Sequence, residues 1–139
     1  MRYNIRDMAI FLSHSPEETK SFAAQYAKTL KPGDVVLLEG EMGAGKTAFA
    51  QGVARGLGIK EDVLSPTYAY VNSYEPMFHF DCYRIESERQ AEELGFSDYF
   101  DAGKICLVEW SRNIAGLLPA DCKKVVIRKV NEEEREIVT

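Results

Sequence analysis

Two hydrophobic rhythms alternate along this chain. Phe22, Ala23, Tyr26, Ala27 and Leu30 recur three and four residues apart, the spacing that gives a helix one apolar face. Ser15-Pro16-Glu17-Glu18 ahead of them is a start signal: Ser15 caps, Pro16 suits the first helical position, and Glu18 completes a capping box. Lys31-Pro32-Gly33 ends the element. Val35 to Leu38 then breaks the rhythm with an unbroken β-branched and leucine run, as expected of a strand buried on both faces. A second helix is predicted from Lys46 to about Leu57, stopped by Gly58. "YAYVNSY" (Tyr68 to Tyr74), "FHFDCY" and "ICLV" read as strands, with the helical "ERQAEELGF" between the last two. "KKVVIRKV" and "REIVT", separated by Asn131-Glu132-Glu133-Glu134, read as a closing antiparallel pair. Strands alternating with helices predict an α/β fold whose sheet is mainly parallel at its centre and antiparallel at its edge.

Composition sets limits on this picture. At 139 residues, 45% of them hydrophobic, the chain fills one core, and with no repeat, linker or low-complexity tract residues 1–139 are expected to form a single domain. A net charge of -5 provides no broad basic surface, so tight direct binding to nucleic acid is disfavoured. No apolar run approaches the roughly 18 residues of a membrane span, and the amino-terminal "MRYNIRDMAIFLSHS" is interrupted by charge. The expectation is a soluble protein with no signal peptide and no membrane contact. Three cysteines, Cys82, Cys106 and Cys122, include no C-x-x-C pair and suit a reducing cytoplasm.

The chemistry begins at "GEMGAGKT", Gly40 to Thr47, directly after the strand Val35 to Leu38 and opening the second helix. This is G-x-x-x-x-G-K-[ST] in the context that gives the pattern meaning: a nest of main-chain amides for phosphates. Gly40, Gly43 and Gly45 permit backbone angles and close approach that a Cβ forbids. Glu41, Met42 and Ala44 complete the loop, and Ala48 continues into the helix. Lys46 supplies charge for the outer phosphates, the helix its positive end, and Thr47 a hydroxyl for Mg2+. Glu109, at the carboxyl end of "ICLV", either holds that metal or marks the strand's exit into solvent. Alternation along "FHFDCYR" puts Phe78, Phe80 and Cys82 on a core face and His79, Asp81 and Tyr83 on a polar one. Asp81 either orders water or only pairs with Arg84 or caps a turn. His79 reads as a partly buried histidine bonded to a neighbour, ahead of a general base. Thr67 in "SPTYAY" is either a nucleotide-state switch or part of an ordinary Ser-Pro turn. No N-K-x-D or D-x-x-G signature supports guanine nucleotides, and Ser13 to Thr19 is the segment assigned to adenine contact.

Four stretches taken together, "LLEGEMGAGKT", "SPTYAYVNSYE", "FHFDCYRI" with "ELGFSDYFD", and "ICLVEWS", resemble the TsaE (YjeE) family of small bacterial ATPases, from about Leu12 to Pro119. The resemblance implies a P-loop NTPase-like α/β sandwich, ATP and Mg2+ as ligands, and weak ATPase activity. It also implies action with the proteins TsaB and TsaD in forming threonylcarbamoyladenosine in tRNA, the tRNA being met indirectly. By position, Lys46 and Thr47 match the family's phosphate and magnesium residues, Glu109 its metal acid, and Thr67 its switch-loop threonine. Asp81 matches the acid of H-x-D-x-Y-R, and Trp110 the tryptophan after the metal acid. Arg84 is an internal cation or a salt-bridge partner. Two alternatives stand beside the partner-coupled ATPase: a small-molecule kinase, for which no clear basic cluster is visible, and a nucleotide-sensing scaffold without turnover.

Overall fold

The computed structural model of the chain describes residues 10–64 and 69–139. In chain order its elements are β1 (Ile10–Ser13), α1 (Pro16–Ala27), β2 (Val35–Glu39), α2 (Lys46–Gly56), β3 (Val71–Tyr74) and β4 (Met77–Asp81). These are followed by α3 (Glu88–Glu93), α4 (Phe96–Phe100), β5 (Ile105–Glu109), a 3-10 stretch (Ser111–Leu117), β6 (Lys123–Lys129) and β7 (Arg135–Val138). The strands form one sheet in the order β1-β7-β6-β2-β5-β4-β3. β2 runs parallel to β5 and β6, and β4 parallel to β5. The pairs β3–β4, β6–β7 and β1–β7 are antiparallel. The α/β class, the parallel centre and the antiparallel edges are thus those expected.

The pleat of β5 divides the core. Ile105 and Leu107 face α1 and α2 together with Phe49, Val53, Leu38 and Ile127, whereas Cys106 and Val108 face α3, α4 and the 3-10 stretch with Phe80, Phe96 and Ile114. A strand covered on both faces has no polar side to present, and all five residues of β5 are buried.

Several local expectations are corrected. Ser15 caps α1 by accepting from Glu18 N, but the Glu18 carboxylate reaches back to His14 N, one residue earlier than a capping box requires. α1 ends at Ala27, and Leu30 packs on the core from the following turn. The helical "ERQAEELGF" becomes α3 and α4, parted at Gly95, whose φ of 84° lies in the left-handed region. The strand expected from Tyr68 begins at Val71, because Tyr70 takes a positive φ of 61°, and Tyr68 itself lies outside the described residues. β1 has no strand signal in the residue pattern. Phe11 turns inward and stacks on Phe22 at 4.6 Å, leaving Ile10 and Leu12 exposed on the opposite side.

Candidate functional site

The carboxyl ends of β2, β4 and β5 converge, and the chain leaving β2 wraps across them as the loop from Gly40 to the start of α2. Gly43 and Gly45 adopt φ of 78° and 103°, angles that a side chain strains against. Gly40 is required for a different reason: a Cβ there would lie 2.7 Å from the Ile127 carbonyl oxygen of β6. Two of the three glycines therefore shape the loop, and the third lets it lie against the sheet. Ala44 is buried beneath the loop and its N–H donates to Glu41 O at 3.0 Å, while Met42 at the tip is 67% exposed.

One cavity of about 480 Å3 joins the motif residues. The loop contributes Met42, Gly43, Gly45, Lys46 and Thr47, the strand ends contribute Asp81 and Glu109, and Tyr83, Arg84 and Trp110 complete the wall. Lys46 is almost wholly buried. Its Nζ donates to Gly40 O at 2.7 Å, stands 4.0 Å from Glu109 Oε1, and lies 4.2 Å from the centre of the Trp110 ring. Burial holds the Lys46 ammonium below its ordinary pKa, and the Glu109 and Asp81 carboxylates act in the opposite direction. Such an ammonium, with few waters to lose, is suited to meet an incoming anion.

Glu109, the last residue of β5, is 4% exposed, so the open reading of it as a strand exit into solvent is excluded. His79 approaches its other oxygen, Nε2 to Oε2 at 2.7 Å. The histidine is fully buried, not partly so, and its bonded neighbour is the candidate metal acid. Its Nδ1 has no hydrogen-bond partner among the described residues. A carboxylate oxygen only accepts, so Nε2 is the donor in this contact.

Asp81 sits in register with Glu109 across the β4–β5 pair. Its Oδ1 accepts from Tyr83 N at 3.0 Å, so it caps a turn and faces the cavity at once. Trp110 has φ 56°, which is uncommon for a bulky residue. Its ring stands edge-on to Tyr83 at 4.9 Å, and the Arg112 guanidinium is 5.3 Å from its centre. Thr67 lies outside the described residues.

Two further clefts flank the loop. Gly40, Glu41, Lys46 and Trp110 share one of about 740 Å3 with Arg112, Arg128 and Lys129. Here the fold assembles cations that are scattered in sequence, yet Arg128 and Lys129 are paired with Glu136 and Glu132. Ala48 and Gly45 border another of about 420 Å3 with His14, Ser15, Pro16, Thr19 and Arg135, which brings the segment Ser13 to Thr19 beside the loop. Sequence motifs missed Arg135. It follows an acidic turn near the carboxyl terminus, and its Nε donates to Ala44 O at 3.0 Å and its Nη2 to Gly43 O at 3.2 Å. An arginine opening a strand carried no signal of that contact, because ninety-one positions separate it from Ala44.

Comparison with known proteins places this geometry among relatives. The model of the family described as "Threonylcarbamoyl adenosine biosynthesis protein TsaE" matches residues 13–137. The tRNA threonylcarbamoyladenosine biosynthesis protein TsaE of Bacillus subtilis (strain 168) is 46% identical over 127 residues, covering 88% of this chain and 79% of that protein. The protein of the same description from Treponema pallidum (strain Nichols) is 32% identical over 129 residues, covering 91% and 96%. Among solved structures, Bacillus subtilis YdiB superposes with a TM-score of 0.81 at 38% identity, covering 95% of this chain and 84% of that one. Among the described residues no helix is long and apolar enough to cross a membrane.

Proposed function

Because the chain belongs to the TsaE family of threonylcarbamoyl adenosine biosynthesis proteins, we propose that it binds ATP with Mg2+ on the Gly40–Thr47 loop and hydrolyses it slowly. The turnover serves threonylcarbamoyladenosine formation in tRNA, the role named for its relatives, in concert with TsaB and TsaD.

One observation carries the reading. The loop ammonium of Lys46 and the strand-end carboxylate of Glu109 stand 4.0 Å apart in a cavity whose wall also holds Thr47 and Asp81. The donor set suits a magnesium triphosphate: a nest of amides and a buried ammonium for phosphate oxygens, a hydroxyl and a carboxylate for a hard cation. Thr47 and Glu109 would hold Mg2+, which when bound neutralises phosphate charge. The loop amides and Lys46 grip the phosphates, Asp81 orients water, and Trp110 with Tyr83 shields one flank. The cleft bordered by Ser15 and Thr19 takes the nucleoside, and Thr67 acts as the switch-loop contact. Intrinsic turnover is slow because no strong base stands ready among the described residues: His79 Nε2 is committed to Glu109, and Asp81 shares an oxygen with Tyr83 N–H. Pairing of Arg128 and Lys129 within the chain weighs against a kinase acceptor site in the neighbouring cleft.

The test is calorimetry with Mg-ATP, followed by phosphate release from the protein alone, with TsaB and TsaD, and with free small-molecule acceptors. Lys46→Ala should abolish phosphate affinity, and Glu109→Ala should keep part of the binding and stop hydrolysis. Stimulation by TsaB and TsaD supports the coupled ATPase, whereas a phosphorylated acceptor would indicate a kinase. No heat of association in a folded sample would overturn nucleotide binding itself.

A further inference from the structure

Among the described residues Arg135, the first residue of β7, makes five hydrogen-bond contacts, each to a main-chain carbonyl, with the two Nη1 N–H groups shared among three of them. Nε meets Ala44 O at 3.0 Å and Nη2 meets Gly43 O at 3.2 Å. Nη1 meets the carbonyls of Asn131, Glu134 and Glu132 at 2.8, 3.0 and 3.4 Å. One side of the guanidinium fork therefore grips the phosphate loop and the other grips the turn between β6 and β7. That turn is a firm support. Asn131 Oδ1 accepts from the N–H groups of Glu133 and Glu134, Val130 N donates to Glu134 O, and the flanking strands are paired in the sheet.

The loop needs such support. Its left-handed glycines, Gly43 and Gly45, have the widest freedom in an unconstrained chain, and Gly45, at the N-cap of α2, has no side chain with which to cap it. A planar trans peptide points its C=O and N–H in opposite directions. Holding the Ala44 carbonyl toward Arg135 accordingly turns the Gly45 N–H to the other face of the loop, away from the hairpin. A lysine at this position would keep the charge and lose the fork, because an ammonium cannot present parallel donors at fixed spacing.

We propose that Arg135 is a positioning residue for phosphate binding: its guanidinium ties the Gly43 and Ala44 carbonyls to the β6–β7 turn and keeps the loop shaped as an anion cradle before nucleotide arrives. This rests on the nucleotide reading above. Because Arg135 also borders the cleft beside Ser15 and Thr19, the experiment must separate an effect on the phosphates from one on the nucleoside.

The full chain and its Arg135→Lys and Arg135→Met variants are titrated calorimetrically with Mg-ATP and with Mg-tripolyphosphate, and thermal unfolding establishes that each variant is folded. Both ligands should weaken by about tenfold or more, by the same factor, in both variants. Full affinity in Arg135→Lys would overturn the proposal, since charge alone would then suffice. Weakened ATP with unchanged tripolyphosphate would overturn it too, by assigning Arg135 to the nucleoside. On the unsubstituted protein, the Arg135 Nε–H proton should exchange slowly with solvent without nucleotide. Exchange as fast as in a free guanidinium would refute the clamp even if both variants failed to fold. Absence of binding by the unsubstituted protein would remove the nucleotide reading and this proposal together, whereas binding that the substitutions leave intact would remove this one alone.

Discussion

Glu109 is a carboxylate 4% exposed to solvent, and a buried charge persists only where donors and opposite charges meet it. Lys46 provides the opposite charge at 4.0 Å and His79 provides the donor at 2.7 Å. His79 holds this place at a cost, because its Nδ1 is buried without a partner among the described residues, an arrangement worth about 1–3 kcal/mol against folding. Removing the donor should leave the carboxylate poorly solvated: His79→Leu is expected to destabilise the protein by about 3 kcal/mol and to lower ATP turnover more than ATP affinity. His79→Gln, whose amide nitrogen reaches toward the position of Nε2, should restore most of both. Urea denaturation and phosphate-release kinetics on the two variants check this, and equal behaviour of Leu and Gln would contradict it. Trp110 is also under tension, as a bulky residue with φ 56°. Its left-handed backbone costs about 1–2 kcal/mol, and it is kept there by a ring set between Lys46, Arg112 and Tyr83.

Among the elements, the contact between α1 and α2 fixes where the phosphate loop begins. Gly52 and Gly56, one turn apart, let α2 settle against α1: a Cβ at Gly52 would fall 2.4 Å from Lys20 O, and one at Gly56 2.5 Å from Ala24 O. Backbone of a neighbouring helix cannot give way as a flexible side chain does. On an isolated helix Gly→Ala would stabilise by about 1 kcal/mol; here overpacking costs about 1–3 kcal/mol and the helices must part. Gly52→Ala should therefore lower the melting midpoint. Since α2 starts at Lys46, it should also weaken Mg-ATP binding. Calorimetry beside a melting curve tests both, and a midpoint above the parent's would refute the packing argument.

For the molecule as a whole, burial leaves a mark on alkaline stability. It pushes the Cys82 and Cys106 thiols from 9.0 to about 12 and the Tyr26 phenol from 10.0 to about 12, with Asp81, Cys122 and Asp34 adding smaller effects in the same direction. An unfolded chain releases these protons near 9.0 and 10.0, whereas the folded chain keeps them to about 12. Over that window the folded state binds more protons at these three groups, so the stability they contribute is complete below pH 9.0 and falls as pH rises, by up to about 1.4 kcal/mol per pH unit for each group. Urea midpoints measured from neutral pH upward should decline through this range; constant midpoints would contradict the burial of these groups. Cys122, only partly buried, should react first with a thiol reagent.

Sequence alone determined what local physics encodes. The buried run Val35 to Leu38, the glycine spacing of the loop, the start of α1 at Pro16 and the placement of Glu109 at a strand end all follow from periodicity and residue chemistry within a few positions. The same is true of the closing hairpin, whose two strands pair as expected. Tertiary structure decided whatever depends on contacts between distant segments. β1 has too short an apolar signal to stand alone and exists by pairing with β7. α3 and α4 part at Gly95 because each buries a separate anchor, Ala91 and Phe96. His79 meets Glu109, and Arg135 reaches Gly43 and Ala44, only after the sheet brings β4 beside β5 and turns the last hairpin under the loop. Periodicity reports which face of an element is buried; it contains no information about which partner buries it, because that choice is made by the packing of the whole chain.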